Sequence, residues 1–208
     1  MRKLPKALLA ITLLASLPLI AQAESQFTTG AGTPITASAR LDFQITIPKI
    51  LFLRVGTGAD AITNAAVNQI AFAVPAANVG DGSAIAATAG SGDLGNGAVT
   101  AKVLGNNGNI TFTSTTLGAL SNGAAGDTIS YSQIGTTVTA LNSPVALPHP
   151  ALADGATTTV NLTPATGKVI NRDARWTFAY LNGNVVAPGV YGGTNTNNSR
   201  VTYTASMP

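Results

Sequence analysis

Over residues 38–47 apolar and polar side chains alternate without a break, and that period of two commits the segment to a strand. Ala39, Leu41, Phe43, Ile45 and Ile47 fall on one face, and Ser38, Arg40, Asp42, Gln44 and Thr46 on the other. Only a pleated strand places every second residue on the same side, and a strand with one apolar face must lay that face against something. Pro48 interrupts the alternation, and residues 50–55 resume it as a more continuously apolar strand. Further strands are predicted over 69–74, 99–104, 109–114, 128–133, 137–141, 158–162, 175–181 and 200–206.

Composition supports the same class. The chain is rich in Ala, Thr, Gly, Asn and Val and poor in Glu and Lys. Thr and Val favour strands, Gly and Asn supply turns, and the residues that build solvated helix faces are scarce. Asn-Gly pairs at 96–97, 107–108, 122–123 and 182–183 tolerate the positive φ of tight turns. Asn107-Gly108 stands between two alternating segments and predicts a hairpin. Residues 76–97 read as a long surface loop with a short strand near Ile85, and 144–154 as a stiff, proline-bounded connection. Strands at this spacing build a sandwich or a barrel.

The N-terminus has the three parts of a secretory signal: basic Arg2, Lys3 and Lys6, an apolar run over 7–20, and the Ala21-Gln22-Ala23 exit. Cleavage after Ala23 is expected, with no later apolar run long enough to span a membrane as a helix. Three of the eleven Lys and Arg residues lie in that signal, which leaves eight against eight acidic residues. A neutral, sparsely charged chain lacks the basic stripe that nucleic acid requires. It carries no cysteine. The expected organisation is a signal peptide over 1–23, an extended arm over 24–38 and one β-domain over 39–208.

No motif nominates a reaction. His149 is the sole histidine and sits between two prolines. As a general base it would need a serine elbow, and none is present. An exposed loop histidine is the expectation. A zinc site needs more ligands, and the Asp81 and Asp93 stretches lack the ladder of a calcium loop, so they read as turn formers. Neither a cofactor nor a metal is expected. Trp176, Phe178 and Tyr180 share one strand face and are expected in the core; exposed, they would offer a sugar-stacking platform.

The termini carry the most specific reading. Val201, Tyr203, Ala205 and Met207 alternate with Thr202, Thr204 and Ser206. In the arm, Phe27, Ile35 and Ala37 share the parity of the first strong strand. Such an arm can complete an open sheet edge on another chain by strand addition. It can equally be a plain leader, since Gly30, Gly32 and Pro34 interrupt it.

Ala187-Pro188-Gly189-Val190-Tyr191, followed by the alternating 200–204, resembles the C-terminal region of bacterial chaperone–usher fimbrial subunits. That resemblance implies an immunoglobulin-like antiparallel β-sandwich with Greek-key connections, left incomplete. It implies a periplasmic chaperone and like subunits as partners, with Val201, Tyr203, Ala205 and Met207 as strand residues and the N-terminal arm as the donor. It also implies passage through the periplasm to the cell surface. Many family members carry a disulfide, which this chain lacks. The expected function is thus a non-enzymatic structural or adhesive subunit. The alternatives are a monomeric module binding a glycan or host surface and, third, a secreted hydrolase.

Overall fold

The computed structural model describes residues 24–32 and 34–208, so the expected export signal lies outside the described residues. The chain divides into two units, Met1–Ile47 and Pro48–Pro208. The alternating segment 39–47 therefore belongs with the arm that was expected to end at residue 38.

In the second unit, all regular structure beyond two short 3-10 turns is antiparallel strand. The larger sheet is built on β9 (Ile170–Tyr180). One flank of β9 carries β3 (Ala98–Gly105) and, further along, the two-residue β2 (Ile85–Ala86). The other flank carries β7 (Ile134–Ala140), and β1 (Leu51–Val55) lies outside β3. The second sheet runs in the order β10 (Thr202–Ser206), β4 (Ile110–Thr115), β8 (Thr157–Leu162). A small hairpin joins β5 (Leu120–Ser121) to β6 (Thr128–Ile129).

The sheets pack face to face because their inner faces share one apolar parity. Val99, Ala101 and Val103 of β3 and Ala174, Trp176 and Phe178 of β9 meet Ile110 and Phe112 of β4 and Leu162 of β8. The Phe112 ring lies 6.0 Å from Trp176 and 6.1 Å from Tyr203. Trp176 is fully buried, and its indole N–H donates to Leu147 O at 2.9 Å. The aromatic triplet expected in the core is there. Burying rings of this size contributes roughly 2–3 kcal/mol each.

Three local expectations change. The segments flanking Asn107-Gly108 do not form a hairpin: β3 belongs to the larger sheet and β4 to the smaller. Gly108 turns at φ 98° and gives its N–H to Lys168 O. Two alternating strands can bury their apolar faces side by side or face to face, and alternation is the same in both cases. The two-residue turn with positive φ at both positions falls instead at Asn96-Gly97, flanked by the Gly95–Ala98 bridge. A Cβ on Gly97 would stand 2.6 Å from that of Ala87.

Second, residues 69–74 form only a single bridge, Phe72 to Ala87. Third, residues 128–133 pair over two positions and then tighten into a 3-10 turn at Tyr131–Gln133, where Ser130 Oγ accepts from Ser132 N. In addition, β9 begins at Ile170, ahead of the predicted start at 175. The run Asn171-Arg172-Asp173 hides that extension, because Asp173 is a buried carboxylate that alternation alone reads as a loop.

Asp173 pins the 142–143 loop onto β9. Its carboxylate accepts from Asn142 N and Ser143 N, both at 2.8 Å, and from the Asn142 amide at 3.2 Å. Burial opposes the charge, but these donors outweigh it and hold the carboxyl at about 2. Asp173→Ala is expected to destabilise the protein by about 2 kcal/mol or more, read from urea denaturation at pH 7. Because the folded value lies below the unfolded one, this contribution is present above about pH 4 and is lost as pH falls towards 2. The acid-unfolding curve of the variant should therefore be shallower over that window.

Candidate functional site: two open strand edges

Two strands stand at a sheet edge on the same border. Among the described residues, β1 pairs only with β3, and β10 only with β4. The two approach one another, yet no ladder joins them. Each therefore has a row of backbone N–H and C=O groups that no strand takes up, which is the condition for adding another strand.

The side chains support the same reading. In the central strands the inward residues are buried, but along these two they are only half-buried. Leu53 and Val55 of β1, with Tyr203, Ala205 and the flanking Met207, rest against the core without being covered by it. Val201 is likewise half-buried. One end of the border is laced. Ile50 N donates to Asn106 Oδ1 at 2.9 Å, Asn106 Nδ2 to Pro48 O at 2.8 Å, and both Lys49 Nζ and Asn107 Nδ2 to Pro208 O.

Tyr203 is the anchored residue of β10. Its hydroxyl lies 2.7 Å from His149 Nε2. The imidazole stands edge-on to Trp176 at 4.7 Å, Phe178 at 5.4 Å and Tyr203 at 5.6 Å. This corrects the expectation of an exposed loop histidine. The stiff Pro148-His149-Pro150 segment drives the ring into the aromatic cluster, with Pro150 itself fully buried. Burial lowers the His149 value to about 4 and raises that of Tyr203. The histidine is thus neutral, bonded to a phenol and walled by rings.

The first unit contains the complementary feature. Leu41, Phe43, Ile45 and Ile47 are 62, 85, 85 and 75 % exposed, and residues 39–47 join no ladder. Alternation correctly marks one apolar face there. It does not require that the face be covered by the chain's own sheet, and this is why the segment reads from sequence as the first core strand. Upstream, the leader runs back along the arm. Arg40 donates to both carboxylate oxygens of Glu24 at 2.6 and 2.8 Å, Ser38 N to Gln26 Oε1 at 2.9 Å, and Thr28 Oγ1 to Thr36 O at 3.2 Å. The Arg40 guanidinium holds the Glu24 carboxyl below its usual range.

The sequence-derived site residues therefore fall into two groups. Tyr203, Ala205, Met207 and Val201 lie together along the open border. Phe27 and Ile35 are exposed at 90 and 54 %, and Ala37 is exposed too, on a leader that doubles back. The stronger apolar set, Leu41 to Ile47, reads from sequence as a strand, but the structure gives residues 38–47 no strand pairing. Pro48, which separates it from β1, is the signal that marks the break.

The loop carboxylates Asp81 and Asp93 act on local backbone: Asp81 Oδ1 accepts from Ser83 N and Asp93 Oδ1 from Thr100 N, both at 2.8 Å. Among the described residues no group of three acidic, histidine or cysteine side chains is placed to hold a metal ion, and no helix is long and apolar enough to cross a membrane. The chain matches no protein-family model, no curated protein and no solved structure.

His149 titrates near 6.5 when unfolded and at about 4 when folded. The unfolded chain takes up the proton first, so stability is full above pH 6.5 and is lost progressively as pH falls towards 4. His149→Gln should flatten the dependence of the melting temperature on pH across that window, which thermal scans at stepped pH will show.

Proposed function

We propose that this chain is an exported, non-enzymatic structural or adhesive subunit, fimbrial in kind, that assembles by β-strand addition. In this reading the donated strand is 39–47 of one copy, and the acceptor is the border between β1 and β10 of the next. An added strand there would complete an immunoglobulin-like sandwich. A periplasmic chaperone would shield the same edges before assembly, and the finished polymer would stand at the cell surface.

The observation that carries the proposal is the exposure of Leu41, Phe43, Ile45 and Ile47 in strict alternation, in a protein whose β1 and β10 have half-covered inner faces. Burying four such side chains is worth roughly 1.5–3 kcal/mol each. Backbone bonds along the new ladder add about 0.5–1.5 kcal/mol apiece. Together these can offset an association cost of about 4–15 kcal/mol. A second copy is a better recipient than the chain's own β1. Pro48 and Ile50, which would have to form the reversal, already have their backbone groups tied to Asn106.

The ring-platform version of the glycan reading is the less favoured one. A glycan platform on Trp176 fails because the ring is fully buried, and Tyr191 is half-buried with its hydroxyl on Ala187 O. For a hydrolase on His149 or on paired aspartates, the geometry offers less: His149 Nε2 is taken up by the Tyr203 hydroxyl, and Asp81, Asp93 and Asp173 accept from backbone N–H groups.

The test uses the chain without residues 1–23. The wild type should form oligomers or fibres by size-exclusion chromatography and electron microscopy. Phe43→Asp and Ile45→Asp should each shift it to monomer, since a charge buried against the core is strongly disfavoured. A peptide spanning 37–48 should raise the melting temperature of a protein lacking 24–47. Monomeric wild type, together with no effect of that peptide, refutes the proposal.

A further inference from the structure

The outer face of the second sheet has a regularity that strand addition does not use. The registers of β10, β4 and β8 align three cross-strand rows. Thr202, Thr115 and Thr157 make the first, and Thr204, Thr113 and Thr159 the second. Ser206, Thr111 and Asn161 make the third. All nine positions point away from the core, and every one is exposed or half-exposed. None is charged and none is apolar. The outer face of the larger sheet differs: it carries Arg54, Lys102, Asp173 and Arg175 across neighbouring strands.

Such a face has a defined chemistry. Each threonine hydroxyl both donates and accepts. Neighbouring hydroxyls stand about 4.8 Å apart across strands and about 6.8 Å apart along them. The rows are close enough to bond internally: Thr115 Oγ1 lies 2.8 Å from Thr157 Oγ1, and Thr113 Oγ1 donates to Thr204 O at 3.5 Å. Among the described residues, the hydroxyls of Thr111, Thr159, Thr202 and Ser206 make no hydrogen bond within the protein. Their donors and acceptors face solvent.

We propose that this array is a contact surface for an uncharged polysaccharide chain. The match is one of charge and of hydrogen-bonding type. A neutral glycan presents hydroxyls at intervals and no charge to be neutralised, so a face free of ions costs it no unpaired charge on binding. An acidic polymer would find no cation at the nine positions themselves. A rigid crystalline lattice would meet a surface that rotates by about 20–25° from strand to strand, and could touch only part of it, whereas a flexible chain can follow the twist. With no aromatic ring among these nine positions for sugar stacking, a single array binds weakly. Repetition along an assembled fibre would raise the avidity by about 10²–10⁴. The proposal needs the sheet alone and does not depend on polymerisation.

The experiment is an NMR titration of the chain without residues 1–23, carrying Phe43→Asp to keep it monomeric, with neutral cello- and malto-oligosaccharides. An alginate oligosaccharide serves as the acidic counterpart. The expected result is saturable shifts confined to β4, β8 and β10, with a dissociation constant in the millimolar range for at least one neutral glycan. Thr113→Lys and Thr159→Lys should each weaken binding at least about fivefold, the worth of roughly one hydrogen bond. Thr137→Lys on the exposed edge of β7 should leave it unchanged. The variants' amide spectra report whether they are folded, and Thr159, being exposed, tolerates the change. No shifts with any neutral glycan, shifts centred on the larger sheet, or tighter binding of alginate would each overturn the proposal. None of these outcomes bears on strand addition, which the oligomer test reads separately. If Phe43→Asp fails to give monomer, the titration is run on the protein lacking 24–47 with the same outcomes.

Discussion

The contact between Phe112 and Trp176 is the interaction on which the rest depends. It joins β4 of the smaller sheet to β9 of the larger across the core, with the centroids 6.0 Å apart. Tyr203 packs against both rings, 6.1 Å from Phe112 and 5.3 Å from Trp176. His149 closes the cluster edge-on, and Leu147 O satisfies the indole N–H, so the largest buried side chain has no unpaired polar atom. Without a disulfide, these rings are the main tie between two sheets that share no ladder.

The same arrangement explains why the border between β1 and β10 can stay open. Tyr203 is held from inside by stacking and by its bond to His149, so β10 keeps its position although one edge is unpaired. β1 is held by its full ladder to β3, and by the Asn106 lacing at its start. In the proposed assembly, a border already ordered before a strand arrives spares the binding free energy the cost of ordering it at that moment.

Much of this was legible in the residues, and what was missed shares a cause. Alternation located β1, β3, β4, β8 and β10 within a residue or two, and placed Trp176, Phe178 and Tyr180 inward. It could not say which strands meet side by side and which face to face, so the Asn107-Gly108 turn reads as a hairpin when it is a crossing between sheets. It could not say whether the partner of the 39–47 face is in the same sheet. Both are questions of long-range pairing, and a period of two is silent on them. The buried Asp173 and the packed His149 fail for a related reason. Each is a polar residue whose burial is made possible by donors or rings far away in sequence, and no local window contains those partners.

Trp176 is the only tryptophan of the chain. It lies 5.3 Å from the Tyr203 ring and 4.7 Å from the His149 ring. The protein therefore carries a single tryptophan fluorophore, fully shielded from water, next to β10, one of the two strands with an open edge. Its emission should be blue-shifted in the folded state, and the contact with the Tyr203 ring makes it sensitive to small displacements of β10. Occupancy of the open border becomes an optical quantity, measurable in real time on the unlabelled chain.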